Sequence, residues 1–345
     1  MIDVSRFLQL RSQLPLIDVR SESEYQAGHI RSAVNIPILN DVERVIVGTT
    51  YKKHGQLPAI REGFRLVGPR LIDIITLAQG VGEEFLVHCW RGGMRSSNFC
   101  QFVSMAGMKS HQLSGGYKAY RQHAVEAFGK KYSFLVVAGL TGSGKTSILR
   151  ALQGLGEQVI DLEGLANHKG SVFGGLGQLP QPTTEQFQND LFEALHQLDP
   201  ARRIWIEDES IAVGKIFLPS PFWQTMCESP LVVVSVPREV RLRRLTEEYG
   251  GADRGEFVKA LQGITKKLGG QNYKAAMTEL TSNNMSAAID IILNYYDKAY
   301  SNSLARKLDR ARVQVAWEGE SIEKFARHLV DEVARVEVKP VALKG

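Results

Sequence analysis

Two stretches of this sequence carry residues whose types and spacing can do chemistry. The first is His88-Cys89-Trp90-Arg91-Gly92-Gly93-Met94-Arg95-Ser96-Ser97, a cysteine followed by paired glycines and flanked by arginines. Glycines let the backbone fold back without a Cβ clash, so successive N–H groups can face the sulfur, and Arg91 and Arg95 add positive charge. Such surroundings favour a thiolate, or a sulfur or selenium anion carried on it. A free cysteine is more commonly a small buried apolar residue, and Cys100 and Cys227, which lack such surroundings, are assigned that role. The second stretch, Gly139-Leu140-Thr141-Gly142-Ser143-Gly144-Lys145-Thr146, reads G-x-x-x-x-G-K-T. The backbone N–H groups of such a loop cradle a diphosphate, Lys145 neutralises the terminal phosphate, and Thr146 can reach a bound Mg²⁺. What this pattern recognises is a diphosphate and not a base. ATP is the usual ligand, and any other diphosphate ester satisfies the same physics.

Both stretches need a strand before them and a helix after. Phe85-Leu86-Val87 is a short apolar run suited to a buried strand, and Phe99, Phe102, Val103 and Ala106 recur at the spacing of a helix face. Phe134 to Ala138 is a β-rich run entering the glycine loop, and Ser147 to Leu152 follows as a helix. Upstream, Leu14 to Arg20 reads as a strand, Ser21 and Glu24 as a capping box, Gly28-His29-Ile30 as a helix end and Ala33 to Pro37 as the next strand. This alternation indicates a parallel α/β sheet. Glu43 to Gly55, with Arg61, Arg65 and Arg70 beyond it, is an insertion. Its charges and tyrosine suit either an RNA backbone with a stacked base or a solvated helix face, the latter being favoured. Tyr120 to Tyr132 reads as a polar helical linker, which divides the chain into 1–128 and 129–345.

In the second part, Val159 to Glu163 reads as a strand, Gly164 to Pro182 as a long glycine-rich functional loop, and Thr183 with Gln186 as a capping box. The helix that follows turns Phe187, Leu191, Ala194, Leu195 and Leu198 to the core. Ile204 to Ser210 is an apolar strand ending in Glu207, Asp208 and Glu209, where enzymes with such loops place a metal-directed acid or a base; the acidic run leaves open which carboxylate does what. After a strand at Leu231 to Val236, Arg238, Arg241, Arg243 and Arg244 lie on a helix, clamping phosphates or facing water with equal plausibility. Residues 255 to 300 read as helices with Ile289, Ile292, Leu293 and Tyr296 on one stripe, Arg312 to Trp317 as a strand and Ser321 to Val336 as a last helix.

Composition narrows the class. The chain has 345 residues, 43% hydrophobic and 23% charged, with a net charge of +5, which suits a polyanionic partner without demanding one. Three scattered cysteines argue against a disulfide framework. With no apolar run of membrane-spanning length and no charged-then-apolar leader, a cytoplasmic protein with no membrane partner is expected.

Ile17-Asp18-Val19-Arg20, Glu24-Tyr25, Gly28-His29-Ile30 and Ala33 to Pro37, followed by Cys89 to Arg95, resemble the rhodanese (sulfurtransferase) domain. The resemblance implies that Cys89 bears a transferable chalcogen, while Asp18, Arg20, Glu24 and His29 fix loops and fold. Such a domain fused to a phosphate-loop domain of NTPase type with a helical C-terminal part, carrying Asp161-Leu162-Glu163, Asn167 to Ser171 and Glu207 to Ser210, resembles the bacterial tRNA 2-selenouridine synthase family. That resemblance implies a transferase acting on the wobble 2-thiouridine of tRNAs for lysine, glutamate and glutamine. It would first attach a geranyl group from geranyl diphosphate and then replace S-geranyl by selenium from selenophosphate, itself supplied by selenophosphate synthetase. In this scheme Cys89, with Arg91 and Arg95, carries selenium as an S-selanyl adduct. Gly139, Gly142, Ser143, Gly144, Lys145 and Thr146 hold the diphosphate, with Mg²⁺ on Thr146 and help from Glu207, Asp208 or Glu209. The rival readings are an ATP-dependent tRNA sulfurtransferase or kinase, and a non-catalytic tRNA- or nucleotide-binding module.

Overall fold

The structure, a computed structural model, describes residues 1–338 and divides into two compact units. One comprises 1–128 together with Gln188–Glu193, the other 129–187 and the residues from Ala194 on.

The first unit is built on four parallel strands, β1 (Leu16–Asp18), β2 (Ala33–Asn35), β3 (Glu84–His88) and β4 (Lys109–Gln112), in the order β2-β1-β3-β4. Phe85, Leu86 and Val87 are fully buried, as expected for a strand covered on both faces. The capping box of Ser21 and Glu24 forms as its spacing predicts. Between β2 and β3 the insertion is entirely helical, as Asp41–His54, Gln56–Val67 and Leu71–Val81. Asn40 and Glu43 cap its first helix reciprocally, and Gly55, at φ 84°, supplies the left-handed turn into the second. Lys52, Lys53 and Arg61 are exposed, while Arg65 pairs with Glu62 and Arg70 with Glu43.

The stretch expected to be a linker is instead core. The helix Gly116–Ala127 turns Tyr117, Tyr120 and Ala124 fully inward, and the Tyr120 hydroxyl donates to Glu193 Oε1 at 2.6 Å. Their i, i+3, i+7 spacing made this face; the polar residues between them disguised it.

Asp18 and Arg20 are both fully buried, joined at 2.6 Å through Arg20 Nη2, and the guanidinium lies 3.9 Å from the Tyr117 ring centroid. His88 stands 3.6 Å from Asp18, but burial drives its pKa down to about 4, so it is neutral at neutral pH and the ion pair is with Arg20. Removing one partner of such a pair strands the other charge, so Asp18→Ala should lower the first unit's unfolding free energy by about 3–5 kcal/mol. Guanidinium titration of the full chain measures this; a change under about 1 kcal/mol, the size of an exposed pair, would contradict it.

The second unit holds a five-stranded parallel sheet of β5 (Phe134–Ala138), β6 (Gln158–Ile160), β7 (Ile204–Glu207), β10 (Leu231–Ser235) and β11 (Ala311–Ala316), in the order β11-β10-β5-β7-β6, beside a short hairpin of β8 (Ala212–Val213) and β9 (Ile216–Phe217). Leu135, Val137, Trp205, Val232 and Val234 pack with Ile148, Leu149 and Leu152 of the helix after the glycine loop. Ile289, Ile292, Leu293 and Tyr296 are buried in a separate helical core with Phe173, Tyr249 and Phe257. Two expectations need correction. The strand expected through Glu163 ends at Ile160, because Asp161 accepts from the Gly164 N–H and caps a short helix, Leu162–Ala166. That helix in turn shortens the glycine-rich loop.

Among the described residues no helix is long and apolar enough to cross a membrane.

Candidate active sites

Cys89 leaves the end of β3, and the helix Met94–Met105 begins a few residues later, so its sulfur lies by a helix N-terminus with no side-chain cap. Such a position favours an anion. Backbone crowding enforces the glycines. Gly92 has φ 64°, and a Cβ there would lie 2.7 Å from the Leu113 carbonyl oxygen; a Cβ on Gly116 would lie 2.3 Å from that of Cys89. The turn is pinned by Tyr117 N–H donating to the Cys89 carbonyl at 2.8 Å and Lys118 N–H to that of Trp90 at 2.9 Å.

Cys89 is 3% exposed, and its sulfur lies 3.1 Å from Ser96 Oγ. Gln112 Nε2 donates to that same Ser96 oxygen at 2.9 Å and to the Gly92 carbonyl at 2.8 Å. With a lone pair so engaged, the Ser96 hydroxyl hydrogen is free to turn to the sulfur or to the Gly93 carbonyl, 3.2 Å away. Ser96 and Gln112 were not singled out from sequence, although Ser96 sits in the quoted motif. Arg95 lies in the first turn of the helix Met94–Met105, but Glu24 holds its guanidinium, at 2.5 and 3.1 Å. Arg91 is exposed. Of the cysteines assigned a buried apolar role, Cys100 is half-buried and Cys227 is exposed at the end of the helix Ser220–Glu228.

The second site forms where β5 runs through the glycine loop into the helix Lys145–Gly154. Gly142 and Gly144 adopt φ of 80° and 76°, which presents loop N–H groups to a cavity of about 460 Å³. Lys145, Thr146, Arg150, Glu163, Lys169 and Arg244 line it. The helix arginines divide in two. Arg238 is bound by Asp290 and Asp297, and Arg241, itself buried, by Asp297 while it donates to the Thr141 carbonyl at 3.1 Å, bracing the loop from behind. Arg244 turns to the cavity, donating to Ser147 Oγ at 2.9 Å.

The carboxylates separate in the same way. Thr146 Oγ1 donates to Glu163 Oε2 at 2.7 Å, and the Glu163 N–H donates to Glu207 Oε1 at 2.7 Å. Asp208 is held by Lys307 at 2.8 Å. Glu207 is fully buried with Oε2 unpartnered, and burial, then Asp161, pushes its pKa well up. Burial and the neighbouring Glu163 push Glu209 up to about 8 against the pull of Lys145. Glu163 is the carboxylate at Thr146, a role no residue pattern revealed. An oxygen-only set of one threonine and one carboxylate fits Mg²⁺ that keeps phosphate and water ligands. Among the described residues no three His, Cys, Asp or Glu side chains gather to hold a metal on protein ligands alone.

A raised carboxyl pKa adds stability that is complete below the unfolded value and lost as pH climbs through the folded one. In the ligand-free chain, wild type should therefore lose stability relative to Glu209→Gln between pH 5 and 9, by about 2–4 kcal/mol. Denaturant midpoints across that range report it, and parallel curves would contradict it.

Comparison with known proteins follows the same division. Residues 3–123 match the family model described as a rhodanese-like domain and residues 132–332 that described as the tRNA 2-selenouridine synthase AAA domain. Curated relatives named tRNA 2-selenouridine synthase include those of Shewanella frigidimarina, 34% identical over 87% of this chain and 91% of its own, Shewanella sp. strain ANA-3, 36% identical over 85% and 89%, and Sulfurovum sp. strain NBC37-1, 33% identical over 91% and 94%. With one profile covering more than half of the chain and relatives alike along nearly all of it, the chain belongs to the tRNA 2-selenouridine synthase family.

Proposed function

We propose that this chain converts 2-thiouridine at the wobble position of tRNAs for lysine, glutamate and glutamine into 2-selenouridine in two steps. In the first, the thiocarbonyl sulfur attacks C1 of geranyl diphosphate, the C1–O bond breaks with its electrons going to pyrophosphate, and N3 gives up a proton. The glycine-loop N–H groups, Lys145 and Arg244 meet the charge that develops on the leaving group. Thr146 and Glu163 would hold Mg²⁺, which when bound neutralises further charge on the diphosphate.

Alkylation makes the second step feasible by turning a poor leaving group into one that departs as geranylthiol. Selenium is at the selenide level in both selenophosphate and product, so the exchange is redox-neutral overall. Water takes the phosphoryl group as phosphate, selenium bonds to C2, and the C2–S bond breaks. The Cys89 sulfur attacks C2 and expels geranylthiol, and the selenium of selenophosphate then displaces that sulfur, so no S–Se bond forms and no oxidant is needed. The helix N-terminus and the Ser96 hydroxyl, 3.1 Å away, face the sulfur throughout.

The observation that carries this reading is the cradle itself, a cavity of about 460 Å³ lined by the glycine loop, Lys145, Thr146 and Arg244, in which loop N–H groups and cations converge as a departing pyrophosphate requires. Thiolated tRNA with geranyl diphosphate should release pyrophosphate in step with tRNA modified. Phosphate release from ATP, with no need for geranyl diphosphate, would favour the ATP-dependent sulfurtransferase or kinase instead.

A further inference from the structure

The helical insertion of the first unit borders an open cavity of about 320 Å³, lined by Leu39, Val47, Ile60, Phe64, Val67 and Phe102. One side is formed by Met94 and Arg95, the first turn of the helix that starts at the Cys89 loop. Across it, the Gln56 amide reaches Met94 Sδ at 4.0 Å. The cavity and the thiol therefore share a wall. Arg44 and Arg95 both line the cavity and share the one carboxylate of Glu24, which leaves a positive charge in excess, and Lys52 and Lys53 are exposed on the helix of Arg44. This volume lies at the small end of ligand pockets, which run roughly 300–1,000 Å³. An apolar lining with an excess positive charge beside it is complementary to a hydrocarbon arm carried on a polyanion.

We infer that this cavity holds the ten-carbon chain of S-geranyl-2-thiouridine while selenium replaces the sulfur, so that the first unit selects prenylated RNA. The inference rests on the two-step function proposed above. In that function the group leaving C2 carries the chain, and a chain seated beside Cys89 fixes which bond faces its sulfur. Burying it also gives a preference that grows with each methylene removed from water. Selectivity at this step keeps selenium from being spent on RNA that has not been alkylated.

Gly48 and Gly63 line the cavity from two helices, and a Cβ on either meets nothing within 4 Å. Leucine at either position fills the space without backbone strain. The test uses the full chain, selenophosphate and anticodon stem-loop RNAs made in advance with S-geranyl- or S-methyl-2-thiouridine, and reads kcat/KM for selenouridine. Wild type should prefer the geranyl RNA by about a hundredfold or more. Gly48→Leu and Gly63→Leu, each checked for an intact thermal transition, should cut that ratio to below about tenfold. A wild-type ratio near one, or a ratio undiminished in both folded variants, overturns the inference. If equal use of both RNAs accompanies a doubling of mass in light scattering, the groove belongs to a second copy of the chain. Failure of wild type to selenate either RNA overturns the two-step function itself, whereas equal selenation of both overturns only the pocket.

Discussion

Cys89→Ser should lower selenouridine formation by about a thousandfold or more, yet the variant should still geranylate thiouridine tRNA, which then accumulates. Serine fits the space of a residue that is 3% exposed and keeps a hydrogen-bonding group beside Ser96, so loss of activity would not reflect a collapsed loop. What it lacks is the sulfur, since an alcohol at that position is both a weaker nucleophile toward C2 and a poorer group for selenium to displace. Nucleoside mass spectrometry of digested tRNA reads both products at once. Retained selenation would contradict the division of labour.

Lys145→Ala should have the converse effect. Removing a cation aimed at a departing oxyanion typically costs about 10²–10³ in rate, and here the pyrophosphate would lose its principal positive partner, with Arg244 remaining. Geranylation should fall by that factor, while RNA supplied already geranylated should still be converted to selenouridine. Loss of both steps in a folded variant, or of neither, would contradict separate sites for the diphosphate and the selenium.

The fold was legible where local pattern and tertiary structure agree. Phe85 to Val87 and Phe134 to Ala138 are short apolar runs ahead of glycines, and both form buried strands entering sharp turns. Local reading failed where a cap or a face outweighed composition. Asp161 stopped a strand that Val159 and Ile160 had suggested would continue, and Tyr117, Tyr120 and Ala124 buried one face of a helix that also carries Lys118, Arg121, Gln122, His123 and Glu126. Partnership was the least visible feature. Arg95 is held by Glu24, Asp208 by Lys307, and Thr146 by Glu163, pairings that span many residues and depend on how the sheets bring strand ends together. Spacing could mark the cysteine and the glycine loop as chemical, but the choice among carboxylates and arginines needed three dimensions.

The central claim is that alkylation of the sulfur precedes its replacement on the same base. Wild-type protein and thiolated tRNA are incubated first with geranyl diphosphate and then with selenophosphate, and nucleoside masses are measured after each addition. The S-geranyl nucleoside should appear in the first stage and give way to selenouridine in the second, with geranylthiol released. Selenouridine formed at full rate without any geranyl diphosphate would contradict the account.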